Sequence, residues 1–113
     1  MIQANFLELN GKRYELNSKG FLVDISSWDV QLRDRLAEQE KIKLTDDHSM
    51  VIDFLRSYFE KNNEHPVVRM IIADMVEKSG REKGTIKYFH TLFPAGIHQA
   101  YLIAGLPMKQ SCC

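Results

Sequence analysis

Cys112 and Cys113 are the only cysteines of the sequence and the residues best suited to covalent chemistry. They follow a short segment that begins at Pro107 and has no large apolar side chain beyond Met108. A thiol in a terminal segment contributes little to packing, because chain ends are usually poorly ordered, but it can reach a second protein. We therefore predict that residues 106–113 form a mobile C-terminal arm, hereafter the arm, that presents a reactive thiol.

The chemistry that suits a thiol of this kind is sulfur transfer. A thiolate attacks the outer sulfur of a persulfide on a donor and then offers that sulfur to an acceptor, so the step needs access and thiolate character. Five residues from Pro107 to Cys112 span roughly 17 Å when fully extended, which lets the thiol move between the fold and a partner. The tail by itself leaves open the alternative of a reactive thiol without a function.

Cys112 needs a nearby cation if its thiol is to ionise near neutral pH, because the carboxylate one residue away opposes a second negative charge. Lys109 is the nearest cation in the sequence, and Lys83 lies in a basic stretch between two predicted helices. We predict that Lys83, Lys109 and Arg69 dock the arm or stabilise its thiolate. Each of these cations, taken singly, is more often a solvated surface charge.

A second interpretation concerns Ser79-Gly80, which separates two predicted helices and is followed by Arg81, Lys83 and Lys87. This arrangement resembles a helix-turn-helix, so a DNA-binding regulator is the alternative from a different class of protein. The charge balance disfavours that alternative, since 15 lysines and arginines face 15 aspartates and glutamates. Direct binding to nucleic acid therefore stays an open question.

Other kinds of site find little support in the sequence. No pair of histidines has metal-ligand spacing that includes a cysteine, and no phosphate-binding or dinucleotide-binding glycine motif is present. We therefore predict no metal and no cofactor. The first residues lack a secretory signal, no apolar run approaches the roughly 20 residues that cross a bilayer, and adjacent cysteines cannot staple a fold. These features predict a reduced, cytoplasmic protein that does not bind membranes.

The sequence pattern predicts that the elements positioning the arm form one α+β domain over residues 1–113. Residues 1–24 read as a small antiparallel β-meander, with Asn10-Gly11 as a tight hairpin turn and 21–23 as a third short strand. Residues 25–105 read as an array of about five helices, and residues 106–113 form the arm.

Local signals place the ends of these helices. Ser26 or Ser27 is predicted to cap a first helix through about Glu40, and Thr45 a second helix that ends at Asn62-Asn63. The third is predicted to begin at Pro66 and end at Gly80. Gly84-Thr85 is predicted to open a fourth helix that Pro94 stops, and a fifth helix is predicted from about Ile97 to Ala104, before Gly105.

The sequence resembles the DsrC/TusE family of sulfur-carrier proteins, which includes the so-called gamma subunit of dissimilatory sulfite reductase. The resemblance covers nearly the whole chain in order. It is carried by Asn10-Gly11-Lys12, Gly20-Phe21-Leu22, Ser27-Trp28, Leu44-Thr45-Asp46-Asp47-His48, Pro66-Val67-Val68-Arg69-Met70, Gly84 with Tyr88, Leu92-Phe93-Pro94 with Gly96, Gln99-Ala100 and Ile103-Ala104-Gly105-Leu106-Pro107.

The resemblance implies that Cys112, as the penultimate residue, carries sulfur as a persulfide, and that Arg69 lines the docking site of the arm. Some members have a second cysteine eleven positions earlier that forms a disulfide, but that position is Tyr101 here. The chain therefore resembles the single-cysteine, TusE-like branch. That branch accepts sulfur from an upstream protein complex and passes it to a tRNA-thiolating enzyme for 2-thiolation of wobble uridine.

The chain also departs from the family pattern. Ala95-Gly96-Ile97 replaces the usual Lys-Gly-Pro, Met108 stands where a second proline is common, and Cys113 replaces an aliphatic last residue. These changes leave the donor and the acceptor open, so a single-cysteine partner or regulator of a sulfite-reductase-type enzyme is the alternative within the family. We treat Cys113 as a secondary thiol that competes with Cys112, protects it, or is inert.

Overall fold

The computed structural model describes residues 5–107, so the thiols Cys112 and Cys113 and the predicted thiolate-stabilising Lys109 lie outside the described residues. Two strands come first, followed by a single 3₁₀ turn and five α-helices. In chain order they are β1 (Asn5–Leu9), β2 (Lys12–Leu16), the 3₁₀ turn (Ile25–Ser27), α1 (Val30–Gln39), α2 (Asp46–Asn62), α3 (Val68–Ser79), α4 (Ile86–Leu92) and α5 (Ile97–Ile103).

The two strands form an antiparallel hairpin, in which Asn5 pairs with Leu16 and Leu9 with Lys12. Asn10 and Gly11 both have positive φ, as the predicted tight turn requires. The predicted third strand is reduced to a single bridge between Leu16 and Leu22. The chain turns away directly afterwards, because Asp24 accepts a hydrogen bond from the Ser26 N–H and begins the 3₁₀ turn.

The helix boundaries follow local capping signals, with two corrections. The first α-helix begins after Asp29, whose carboxylate accepts from Leu32 N–H, and neither Ser26 nor Ser27 caps it. The third helix begins at Val68 with Val67 as its N-cap, so Pro66 precedes the helix instead of opening it. The predicted caps of α2 and α4, Thr45 and Thr85, are confirmed, as are the stops of α3 and α5 at positive-φ glycines.

Helix α5 lies at the centre of the molecule and packs against α1 and α2. Every residue from 99 to 106 is buried, which fits a short helix that is enclosed on all sides. Leu106, the first residue of the predicted arm, therefore belongs to the core. The largest fully buried side chains among the described residues are Tyr14, Leu22, Leu32, Leu36, Ile52, Leu55, Ile71, Met75, Phe89, Phe93, Tyr101 and Ile103.

Within residues 5–107, no helix is long and apolar enough to cross a membrane.

Candidate functional site: the root of the C-terminal arm

The candidate site is built around residues 103–107, hereafter the arm root, because the arm leaves the described structure there. Helix α5 ends in a Schellman motif: Gly105 has φ of +73°, its N–H donates to Leu102 O, and Leu106 N–H donates to Tyr101 O, both at 3.1 Å. Leu106 is then fully buried, which fixes the chain immediately before Pro107.

Two side chains from distant parts of the chain bind the remaining carbonyls at the end of α5. Trp28 Nε1–H donates to Ile103 O at 3.0 Å, and the Arg56 guanidinium donates to Ala104 O at 2.8 Å. An α-helix leaves its last four carbonyls without partners inside the helix. Here all four have a donor, so the arm root has no unpaired acceptor left in the last turn of α5.

Arg56 joins three parts of the fold at the arm root. Its guanidinium also donates to Ile25 O at 3.1 Å and lies 4.2 Å from the centre of the Trp28 ring. Partial burial lowers the pKa of Arg56 from its ordinary value, but a guanidinium remains charged at any physiological pH. A charged donor therefore holds the end of α5 by hydrogen bonds that are stronger than those from neutral groups.

His65 holds the last described residue of the chain. Its Nε2 lies 2.7 Å from Pro107 O, and since a carbonyl oxygen only accepts, Nε2 carries the proton. The ring meets Tyr101 edge-on with centroids 4.7 Å apart, and Phe59 with centroids 5.2 Å apart. The arm root is thus fixed from the side of α2 and of the loop before α3.

Tyr101 is fully buried beneath this contact, at the position where the family resemblance led us to look for a second cysteine. Its hydroxyl donates to Pro66 O at 2.8 Å, and burial raises the pKa of Tyr101 to about 12. A phenol in this place offers no partner for a disulfide with Cys112. The position instead ties α5 to the residue that precedes α3.

A shallow cleft of about 380 Å³ opens beside the arm root and is lined by Asn63, Glu64, His65 and Val67. Arg69 is exposed on the first turn of α3, next to this cleft in the chain. Val67, which lines the cleft, is the N-cap of α3 and makes no side-chain capping bond, so the positive end of this helix begins beside the cleft. Arg69 thus lies in the first turn of the helix whose N-cap, Val67, lines this cleft.

Lys83 follows the C-terminal end of α3, and that end lies roughly 18 Å along the helix axis from the end that begins beside the cleft. Its ammonium is paired with the Asp47 carboxylate at 3.2 Å, and Asp47 also accepts from the Tyr88 hydroxyl. These contacts, with the Tyr88 hydrogen bond the largest, lower the pKa of Asp47. Lys83 and Arg69, which were predicted to act together on the arm, thus lie at opposite ends of α3.

The histidines form no metal centre in the described part of the chain, where no group of three or more His, Cys, Asp or Glu side chains meets. His48 is buried, and both of its ring nitrogens have hydrogen-bond partners. Its Nδ1 accepts from Thr45 N–H at 3.1 Å, and its Nε2 donates to Leu92 O at 2.8 Å. His48 therefore connects the start of α2 to the end of α4.

Sequence reasoning missed Arg56 and His65. Both bind main-chain carbonyls that lie far along the chain, 48 and 42 residues away respectively. Arg56 follows directly after Leu55 in the apolar stripe of α2, which marks a residue at the border of the buried face but not its partner. His65 had no signal beyond its place before Pro66.

Comparisons with known proteins fit this geometry. A family model described as DsrC like protein matches residues 8–113. Proteins named Sulfurtransferase TusE from Pectobacterium atrosepticum and Escherichia coli are 40% and 38% identical over 107 residues, which cover 94% of this chain and 98% of each relative.

Two solved structures of DsrC are also similar. The crystal structure of the oxidized gamma-subunit of the dissimilatory sulfite reductase (DsrC) from Archaeoglobus fulgidus has a TM-score of 0.88 and 35% identity, covering 96% of this chain and all of that chain. The NMR structure of Allochromatium vinosum DsrC has a TM-score of 0.86 and 36% identity, covering 98% and 100%.

Proposed function

Because the chain belongs to the family of DsrC-like proteins, we propose that it is a sulfurtransferase of the relay type, which carries sulfur as a persulfide on Cys112. The observation that carries the proposal is the family match through residue 113, which includes the arm and not only the fold. Relatives with the name Sulfurtransferase TusE, at about 40% identity over nearly their full length, support the same activity.

The transfer step balances without an outside oxidant. The Cys112 thiolate attacks the outer sulfur of a donor persulfide, a new sulfur–sulfur bond forms, and the old one breaks to release the donor thiolate. The acceptor thiolate repeats the same exchange on the Cys112 persulfide. The chain needs no metal and no cofactor for this chemistry.

Arg69 and Lys109 are the cations we propose for the Cys112 thiolate, with Lys83 as a weaker candidate. Arg69 has the support of geometry, since it shares the end of α3 with the arm root and with the positive end of the helix dipole. Lys83 is paired with Asp47 at the other end. In chains with Cys113→Ser, the pH dependence of iodoacetamide alkylation should shift upward in Arg69→Gln more than in Lys83→Gln; an equal shift would contradict this ranking.

We further propose that sulfur passes from an upstream sulfur-donor complex to a tRNA-thiolating enzyme, with cytoplasmic location as part of the proposal. The DsrC structures favour one alternative, a single-cysteine partner or regulator of a sulfite-reductase-type enzyme. Deleting the gene distinguishes the two. The tRNA pathway requires loss of wobble 2-thiouridine that wild type restores and Cys112→Ser does not, whereas the alternative leaves 2-thiouridine unchanged.

The direct test of sulfur carriage is intact-mass spectrometry after incubation with a persulfide donor such as glutathione persulfide. We expect the mass to rise by one sulfur atom in wild type and in Cys113→Ser, and not in Cys112→Ser. No gain in wild type, or equal gain in all three chains, would contradict the proposal. Because the two cysteines are adjacent, Cys113→Ser is the matched control for the loss of a thiol.

The helix-turn-helix alternative is tested separately. It requires duplex binding that weakens with salt and survives removal of residues 108–113. Helix α4 has only seven residues, and Lys83 on the turn before it is already paired. We therefore expect no duplex binding at low salt in an electrophoretic mobility assay.

A further inference from the structure

On the basis of the sulfur-carrier function proposed above, we propose that His65 is a positioning residue that sets the direction in which the arm leaves the fold. The observation is the 2.7 Å hydrogen bond from His65 Nε2–H to the carbonyl of Pro107, the last described residue before the arm continues toward Cys112. His65 touches neither thiol in this role and acts through the backbone of Pro107.

The hydrogen bond acts on a backbone that is already half fixed. The ring of Pro107 locks its φ near −65°, so ψ is the soft torsion left at this residue. The position of a carbonyl oxygen reports ψ directly, and a donor that holds this oxygen holds ψ. Proline thus fixes one torsion and His65 the other, and together they orient the peptide plane that follows residue 107.

The donor is itself held firmly. The imidazole of His65 lies edge-on between Phe59 and Tyr101, and the Tyr101 hydroxyl is bonded to Pro66 O at 2.8 Å. Phe59 belongs to α2 and Tyr101 to α5, so the imidazole is fixed by two helices at once. If His65 served only to fill space, its aromatic ring would matter and its Nε2–H donor would not.

The ring and the nitrogen are separable by two substitutions. His65→Phe keeps an aromatic ring against Phe59 and Tyr101 but has no donor, whereas His65→Gln keeps an N–H donor at similar reach but has no ring. A packing role predicts that Phe replaces His65 well and Gln poorly. A positioning role predicts the opposite order.

The direction of the arm is measured by disulfide formation between Cys112 and probe cysteines, in a chain that carries Cys113→Ser. Val67→Cys lies beside the arm root, and Glu77→Cys lies roughly 15 Å further along α3. Each probe is placed in a separate chain, and its disulfide with Cys112 is followed in a glutathione redox buffer by non-reducing mass spectrometry. The quantity of interest is the ratio of the two rates.

We expect His65→Phe to change this ratio by about 3- to 10-fold, which is what one hydrogen bond is worth in an equilibrium. His65→Gln should keep the ratio within about twofold of wild type. An unchanged ratio in His65→Phe, or a change in His65→Gln as large as in His65→Phe, overturns the proposal. If His65→Phe fails to unfold cooperatively, His65→Leu serves as the variant without a donor.

The ratio is measured without any sulfur donor, so it is independent of the proposed function. Failure of persulfide loading on Cys112 with a ratio that responds to His65 would remove sulfur carriage and keep the positioning role. Normal loading with an unresponsive ratio would do the reverse.

Discussion

The two ends of helix α3 are held by different kinds of contact. At the end that faces the arm root, the buried Tyr101 hydroxyl donates to Pro66 O, and nearby donors bind other main-chain carbonyls. At the far end, Asp47 is bound by the half-exposed ammonium of Lys83 and by the Tyr88 hydroxyl. Donors bind backbone carbonyls near the first end of α3, whereas an ion pair between side chains joins the loop after α3 to α2 near the second.

The difference bears on how constant the exit of the arm is. Main-chain carbonyls do not titrate, and buried hydrogen bonds to them are little affected by salt. An exposed ion pair is screened by salt and contributes about 0–1 kcal/mol. The chain that leads to Cys112 thus leaves the fold near the end of α3 whose contacts change less with salt and pH.

The largest expected effect compares the positive-φ glycines that follow α5 and α3. A Cβ on Gly105 would lie 2.1 Å from Trp28 Cδ1, whereas a Cβ on Gly80 meets nothing within 4 Å. Gly105→Ala should lower the free energy of unfolding by about 3–5 kcal/mol, from backbone strain plus overpacking, and Gly80→Ala by about 1–2 kcal/mol, from strain alone. Equal losses in urea denaturation would show that Trp28 moves aside freely.

Arg56→Met comes next, because it removes the donor to Ala104 O and Ile25 O while keeping most of the apolar stem. We expect a loss of about 2–3 kcal/mol in urea denaturation, the range for hydrogen bonds from a charged group. The loss should be about the same at 50 mM and 500 mM salt, because partly buried contacts are screened by salt much less than exposed ones. Arg56→Lys is the matched control, and a full rescue by lysine would show that charge alone matters.

Tyr101→Phe tests the hydrogen bond at the end of α3 near the arm root through the pH dependence of stability. The mutant leaves Pro66 O without its donor and should lose about 1–2 kcal/mol at neutral pH. Because the pKa of Tyr101 is raised to about 12 in the folded protein, its contribution is complete below pH 10 and is lost as pH rises from 10 to about 12. Wild type should therefore lose stability in this window faster than Tyr101→Phe; parallel curves would contradict the assignment.

Asp47→Asn makes the corresponding test at the far end, at acid pH. The pKa of Asp47 is lowered by Tyr88 and Lys83, so its stabilisation is present above the ordinary carboxyl pKa and is lost as pH falls through the folded value. The mutant should be less stable than wild type at pH 7 by about 1 kcal/mol, and the two should converge as pH falls below the ordinary carboxyl pKa and through the lowered pKa of folded Asp47. Tm as a function of pH is the measurement, and a constant gap would contradict it.

Lys83→Gln should have the smallest effect, since the lysine side chain is 52% exposed. We expect a loss of at most about 1 kcal/mol at low salt that disappears at high salt. Thermal unfolding at two salt concentrations measures it. A loss that persists at high salt would mean that the far end of α3 is not screened, and the contrast between the two ends would fail.

Local sequence signals predicted the parts of the fold that depend on neighbouring residues. Asn10-Gly11, Thr45, Thr85 and Gly105 each act within a few residues, and each was placed correctly. The predicted cap of α1, Ser26 or Ser27, was wrong, and Asp29 caps this helix instead. Asp29 also binds Tyr14 and Lys12 of the hairpin, and these partners are distant in the sequence.

The site divides in the same way. Cys112 was singled out by its position in the sequence and remains a prediction, since it lies outside the described residues. Arg56 and His65 bind carbonyls more than 40 residues distant in the chain, and no local pattern reports such a contact. The resemblance predicted the fold and the sulfur-carrying function, whereas only the structure shows the contacts that hold the arm root.

The fixed arm root has a consequence for encounter rates. Five residues beyond Pro107 limit the Cys112 backbone to a hemisphere of roughly 17 Å radius about the arm root. Once a partner is bound beside the arm root, one thiol confined to this volume meets the partner's reactive group at an effective concentration of roughly 150 mM. Under the proposed function, transfer within such a complex is an intramolecular event, whose rate does not depend on the concentration of the free carrier.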